Sequence, residues 1–385
     1  MSEYQKFFEG CINHRDLYKL KNLRMNSGLL HSTNDGIVNV QEIDRAKNED
    51  FLCQAYHQIP YANMLLGNSF YEFANDGYYH FFIKNSVDSY KKLSEVIDVD
   101  AETIKNCAEN IDYQYKVFFI WKDEDHTKKR WIEAPNETLK DIQEKILYKI
   151  IYKNISPTKY AHGFCHGKSI ATNAMEHTGK KYVLKMDFKN FFPSITYEMI
   201  RVAFLDFTNS ENADYIDLAL KLCCYKGRLA QGAPTSPALS NIYCIKLDLF
   251  LSAIAENLGI KYTRYADDLI FSGNNERNMK TMIYLVKSNI GYFRLNLNRK
   301  KTSLKHNSKR QTVTGLVVNK EGQCSVRKSK RMKLRAYMHN ILTGKVDPRH
   351  VNMNKLRGNV AIINMANPSQ GKYFLEKFEQ IKAMV

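Results

Sequence analysis

Two apolar runs in the middle of the chain carry carboxylates where a strand should be buried, and they constrain the fold more than any other feature. YVLKMDF (182–188) is a short buried-strand pattern that delivers Asp187 at its tip. IKYTRYADDLIFSG (260–273) reads as strand, tight turn, strand, with Asp267 and Asp268 at the turn. A carboxylate at the edge of an apolar strand is costly to bury alone, so such groups bind a cation or a base. Strands that gather three acids suit a pair of Mg²⁺ ions, which take oxygen ligands and keep places for water and phosphate. Alone, the Asp-Asp pair reads as an ordinary hairpin turn, where Asp is common.

The charge around these acids is one-sided. The chain has 385 residues and a formal charge of +17. Residues 1–120 carry 12 basic and 17 acidic residues, and the remaining 265 carry 45 and 23. The densest block, Arg299 to Arg335, has 13 basic residues and one acid, Glu321. That pattern fits a polyanion-binding body, nucleic acid before a merely solvated face, behind a mildly acidic front section. The sequence lacks both a long apolar span and a signal-peptide pattern, so a membrane role is not expected. Eight cysteines without a CxxC pair suggest neither a disulfide framework nor a zinc site, and the expected setting is cytoplasmic.

Local patterns predict the remaining elements. Helices are expected at 87–98 and, started by Asp100, from there towards Asn110. YKVFFIW (115–121) and RWIEAP (130–135) form a hairpin, and Leu139, Ile142, Ile146, Leu147 and Ile150 mark an amphipathic helix. Residues 196–225 look helical, QGAPTSPALSN (231–241) is a loop feeding a helix near 239–253, and a further helix covers 276–290. TVTGLVVN (312–319) is strand-like, and the basic tail from about 326 is mostly helical. The aromatic stretch 54–83 reads as core.

Taken together and in order, these segments resemble the reverse transcriptase family over about Tyr115 to Asn319. Tyr265-Ala266-Asp267-Asp268 looks like the family's YxDD box, and Asp187 with Phe188 looks like its first acidic motif. Gln231 to Pro237 resembles the QGxPxSP loop beside the incoming nucleotide, and Phe192 falls where the family places an aromatic gate against the ribose 2′-OH. Arg130 and Lys140 match basic contacts to the triphosphate, although Lys140 stands where related enzymes usually carry Arg. Asn173 to His177 (NAxxH) and Val313-Thr314-Gly315 (VTG) are similar to motifs of retron reverse transcriptases.

The resemblance implies an α+β right-hand polymerase. Its expected parts are an N-terminal extension (1–86) without a motif, fingers (87–180), a palm of antiparallel sheet with helices (181–319, with fingers insertions near 196–235) and a mostly helical thumb (320–385). Asp187, the Phe188 carbonyl, Asp267 and Asp268 would hold two Mg²⁺, while Arg130, Lys140, Phe192 and Gln231 would bind dNTP. RNA contacts are expected at Asn173, His177, Val313, Thr314, Gly315, Lys328, Lys330, Arg331 and Lys333. The implied partners are a cognate structured non-coding RNA, its branched DNA product and an effector protein encoded nearby, in anti-phage defence. The rivals are another bacterial reverse transcriptase, group II intron-like or defence-associated, and a silent RNA-binding scaffold restraining an effector. About 85 residues precede the segment with which such enzymes typically begin, and these are the expected place for a protein partner.

Two sites are set aside. His162, Cys165 and His166 fit no closed zinc set, and the GKS at 167–169 lacks the upstream glycine of a P-loop.

Overall fold

The computed structural model describes residues 87–122, 125–205 and 213–384. The N-terminal extension and the aromatic stretch 54–83 lie outside the described residues. The described chain is a mixture of helices and antiparallel sheets, and it clusters into two units that alternate along the sequence. The first takes in 87–161, 188–258 and 280–297, and the second 162–187, 259–279 and 298–384.

The first unit opens with α1 (Val87–Ile97) and α2 (Ala101–Glu109). Asp100 caps α2 by accepting a hydrogen bond from the Thr103 amide at 3.0 Å. β1 (Tyr115–Trp121) and β2 (Lys129–Pro135) pair antiparallel along their whole length. Asn136 then caps α3 (Glu137–Ile146), whose Leu139, Ile142 and Ile146 are fully buried. A π-helical turn, Leu147–Ile151, follows and buries Ile150 and Ile151 together.

The region expected to be helical from 196 to 225 is instead α4 (Tyr197–Leu205) and α5 (Ala213–Leu222), then a small ribbon of β3 (Cys224–Tyr225) and β4 (Arg228–Leu229). Lys226 and Gly227 both have positive φ (50° and 69°), the twist a two-residue hairpin turn demands. The helix expected near 239–253 starts earlier and is split, as α6 (Ser236–Tyr243) and α7 (Ile245–Asn257). Among the described residues no single helix is long and apolar enough to cross a membrane.

The second unit is built on a four-stranded antiparallel sheet. In chain order its strands are β5 (Tyr182–Asp187), β6 (Lys261–Tyr265), β7 (Asp268–Gly273) and β8 (Ser303–His306). In space they run β6-β7-β5-β8. Beside it lies a three-stranded sheet of β9 (Thr312–Val313), β10 (Leu316–Lys320) and β11 (Gln323–Ser325). The single strand expected at 312–319 is therefore a hairpin, with Thr314 (φ 45°) and Gly315 (φ 86°) as its turn. Val313, Leu316 and Val318 pack with Val183, Ile270, Ala171 and Ala174.

Three helices complete this unit: α8 (Lys328–Leu342), α9 (Met353–Ala366) and α10 (Pro368–Lys382). Ile341, Leu356, Val360, Ile363 and Ile381 form their shared core.

Candidate active site

Strand register brings Asp187 and Asp268 face to face and leaves Asp267 in the adjoining turn. Asp187 ends β5 directly opposite Asp268, the first residue of β7, and Asp268 is also opposite Tyr265 at the end of β6. Ala266 and Asp267 make the two-residue turn between β6 and β7. Ala266 has φ 54°, a left-handed conformation that costs a residue with a Cβ about 1–2 kcal/mol. The surroundings fix that turn. Fully buried Arg264 donates from Nη1 to the Ala266 carbonyl at 3.2 Å, and the His162 amide donates to the Arg264 carbonyl at 2.8 Å. Gly163 lies so close that a Cβ there would stand 2.5 Å from the Ala266 nitrogen.

Electrostatics set the acids apart from surface carboxylates. Asp187 is 6% exposed, and Lys301 Nζ lies 3.0 and 2.8 Å from its two oxygens. Lys185 Nζ sits 3.7 Å from Asp268 Oδ2. Burial, and then the charges of Asp187 and Asp268, push the Asp267 carboxyl above its ordinary value. Asp268 is raised too, chiefly by burial and by Asp187, against the pull of Lys185. The ion pair with Asp187 raises the Lys301 ammonium. Asp187, Asp268, Lys185, Lys301, Lys305 and Gln311 line one cleft.

Among the described residues no three His, Cys, Asp or Glu side chains stand close enough to cage a metal ion. The lysines hold the positions beside Asp187 and Asp268 instead. The donor chemistry nevertheless fits Mg²⁺, because the acids offer carboxylate oxygens whose crowding a divalent cation would relieve. Mg²⁺ sites of this kind use one or two carboxylates and complete themselves with water and substrate phosphate.

Phe188 and the residues expected to bind nucleotide belong to the first unit. Arg130 is exposed on β2, opposite Ile120, and Lys140 is exposed on α3. Phe188 is buried and its ring stacks on Phe191 at 5.5 Å, while Phe192 follows in the single helical turn Phe191–Ser194. Gln231 is tied to the strand that bears Arg130. Its carbonyl accepts from the Glu133 amide at 3.0 Å, and its own amide donates to Glu133 Oε2 at 3.3 Å. Glu133 in turn holds Arg228 through two bonds of 2.9 and 2.7 Å.

The structure corrects part of the expected RNA surface. Asn173, His177 and Val313 are fully buried, so their side chains hold the fold and do not face RNA. His177 lies between Ser272 Oγ and Thr263 Oγ1, each at 2.7 Å, and Thr263 donates to Asn173 Oδ1 at 2.6 Å. Burial lowers the His177 pKa to about 3 and keeps the ring neutral. Thr314 donates to the Ile170 carbonyl at 2.7 Å, and Gly315 is exposed at the turn. On α8, Lys328, Lys330 and Lys333 are exposed, while half-buried Arg331 bonds to Gln370.

Sequence patterns missed Lys301, Lys185, Glu133, Arg228 and Gly163. Lys301 sits inside a run of like residues, and nothing local distinguishes it from its neighbours.

A family model described as reverse transcriptase (RNA-dependent DNA polymerase) matches residues 120–329. The chain is 32% identical over 253 residues to the Retron Ec86 reverse transcriptase of Escherichia coli, covering 66% of this chain and 78% of that protein. It is also 32% identical to the Retron Mx162 and Retron Mx65 reverse transcriptases of Myxococcus xanthus. Those matches cover 66% and 63% of this chain, but only 59% and 60% of the two relatives.

Proposed function

This chain belongs to the reverse transcriptase family, as an RNA-directed DNA polymerase of the retron type, and from that premise we propose that it copies a cognate structured RNA into branched, RNA-linked single-stranded DNA. The observation that carries the reading is the register of the acids: Asp187 faces Asp268 across β5–β7, with Asp267 in the adjoining turn. Asp187, Asp267, Asp268 and the Phe188 carbonyl are the groups to hold two Mg²⁺ ions. Bound there, the ions would supply charge stabilisation for attack by a primer hydroxyl on the α-phosphate and for the departing pyrophosphate.

The chain's own residues do the rest. Arg130 and Lys140 bind the triphosphate, and Phe192 excludes a ribose 2′-OH. Glu133 holds Gln231 in the nucleotide loop. Lys301 neutralises the buried charge of Asp187. Lys328, Lys330 and Lys333 on α8, with Arg331, neutralise RNA phosphates, which makes RNA affinity fall with salt. In this reading residues 87–180 serve as fingers, 181–319 as palm and 320–385 as thumb. The first primer is a 2′-OH of the enzyme's own RNA. An effector protein encoded nearby completes an anti-phage system, with residues 1–86 as its docking segment. Retention of all three acids speaks against a silent scaffold.

The test is primer extension by the purified protein with its RNA, Mg²⁺ and labelled dNTPs. The double variant Asp267→Ala, Asp268→Ala should lose about 10³-fold or more, equivalent to ~4 kcal/mol of transition-state stabilisation. Incorporation equal to wild type would remove the acids from catalysis. Phe192→Ala should admit ribonucleotides, and unchanged sugar selectivity would reject the gate.

A further inference from the structure

The β1–β2 ribbon exposes large apolar side chains on both faces. Val117, Phe118, Phe119, Ile120, Trp121 and Trp131 are each between 39% and 57% exposed. A soluble two-stranded ribbon ordinarily hides one face, so this surface calls for a partner. Register sorts the side chains, because partners across an antiparallel pair share a face, as do residues two apart. Phe119 is opposite Trp131 and Trp121 is opposite Lys129, so these four share one face. Phe118, Ile120 and Arg130 lie on the other.

The first face is an ordered aromatic cluster. Phe119 meets Trp121 edge-on at 5.3 Å between ring centres and Trp131 at 5.6 Å. Lys129 Nζ stands 4.2 Å from the centre of Phe119 and 5.4 Å from that of Trp121. The strands from 116 to 122 and from 128 to 132 carry Lys116, Lys122, Lys128, Lys129 and Arg130 and no acid. The acids 123–125 fall between the two strands in sequence, and Glu133 is held by Arg228. The His126 ring packs against Trp121 at 5.1 Å, yet Phe119, Trp121 and Trp131 remain 39–57% exposed. Part-exposed rings set among cations match one occupant: unpaired nucleobases, which stack on the rings while the backbone phosphates meet the lysines.

We propose that the Phe119–Trp121–Trp131 face of the β1–β2 ribbon is a stacking platform for single-stranded nucleic acid, separate from the ribbon face that bears Arg130. Sequence reading is expected to be weak there, since every base has a π-face. The inference rests on the ribbon alone and not on the two-ion reading.

The chain supplies its own reporter, because Trp121 and Trp131 are its only two tryptophans. Full-length protein in EDTA is titrated with oligo(U), and separately oligo(dT), of about a dozen nucleotides, while tryptophan fluorescence is followed. Both oligomers should quench it saturably, and duplex RNA of equal length much less. Phe119→Leu keeps an apolar side chain but removes a ring, and should weaken binding about tenfold, whereas Phe119→Tyr should bind like wild type. The Asp267→Ala, Asp268→Ala protein should bind as wild type while failing in primer extension, so the two readings fail separately. Absent quenching, or equal binding by Phe119→Leu, overturns the platform. Emission already blue-shifted and shielded from acrylamide also overturns it, since the face would then be covered by another part of the chain.

Discussion

Two of the molecule's hairpins, β6–β7 and β1–β2, have opposite character. β6–β7 has a two-residue turn, and its Tyr262, Thr263, Leu269, Ile270 and Phe271 are buried. β1–β2 has a longer turn and shows its rings to solvent on both faces. The first holds carboxylates to a fixed geometry, and the second presents surface. The difference lies in what backs each hairpin. Arg264 within β6, His177 against Thr263 and Ser272, and Gly163 against Ala266 supply hydrogen bonds or close contact, so the turn can keep Ala266 left-handed and its acids crowded. β1–β2 is held at its base alone among the described contacts, where Tyr115 accepts from Gln143 Nε2 at 2.8 Å and Glu133 engages Arg228 and Gln231. A site for bond making needs the first kind of support. A surface for stacking bases of any sequence does not.

The sharpest way to break this comparison is to remove one ring from each hairpin. Phe271 is fully buried and stacks on Tyr262 at 4.9 Å. Phe271→Ala should cost about 3–5 kcal/mol in denaturant unfolding, through lost transfer energy and a residual cavity. A loss below about 1 kcal/mol would mean that the β6–β7 core is not packed as described.

Next in size is Gly163→Ala. The added Cβ meets the Ala266 backbone at 2.5 Å, and backbone on both sides must move. Overpacking of this kind costs about 1–3 kcal/mol. Because the turn that moves carries Asp267, primer extension should fall by about 10²-fold, the effect of a misplacement near 1 Å. Gly167→Ala is the control. Its φ is +71° with open space around it, so it should strain the backbone by about 1–2 kcal/mol and leave the turnover of the folded protein unchanged. Equal activity losses in the two variants would strip Gly163 of its positioning role.

These contacts also show why sequence reading reached only part of the site. The acids were legible because a carboxylate at the tip of an apolar run violates the local pattern, and the Asp100 cap and the 115–135 hairpin follow short-range rules that the chain obeys. Thr314-Gly315 did not announce a turn inside an apolar run, so two strands read as one. Asn173 and His177 look like surface groups locally, but their partners Thr263 and Ser272 lie 86 to 95 residues away and satisfy them in the core. The Lys301–Asp187 pair spans 114 residues and the Glu133–Arg228 clasp 95, and no periodicity reports either.

A pH titration probes the buried polar support directly. His177 has an unfolded pKa of 6.5 and a folded value near 3, so the unfolded chain takes up a proton that the folded one refuses. Its contribution is intact above about pH 6.5 and is lost as pH falls towards 3, with a slope of about 1.4 kcal/mol per pH unit for one proton. Unfolding free energies compared between wild type and His177→Asn should show that slope only in the wild type, whatever the variant loses overall. Parallel curves would mean that the ring is charged or hydrated inside the fold.

The smallest expected effect belongs to Phe118→Ser. Phe118 is 40% exposed on the ribbon face opposite Phe119. Its replacement should therefore change stability by no more than about 0.5 kcal/mol, as surface substitutions do. It should also leave oligonucleotide quenching of Trp121 and Trp131 unchanged, because those rings share the Phe119 face. Both readings come from one protein preparation, by thermal unfolding and by fluorescence titration. A destabilisation approaching that of Phe271→Ala would mean that Phe118 is covered by the first 86 residues or by another chain. The ribbon would then be a packed element like β6–β7, and the contrast between a supported hairpin and a presented one would dissolve. A silent Phe118→Ser beside a damaging Phe119→Leu would instead divide the ribbon into a binding face and a bystander face, a distinction that only strand register makes.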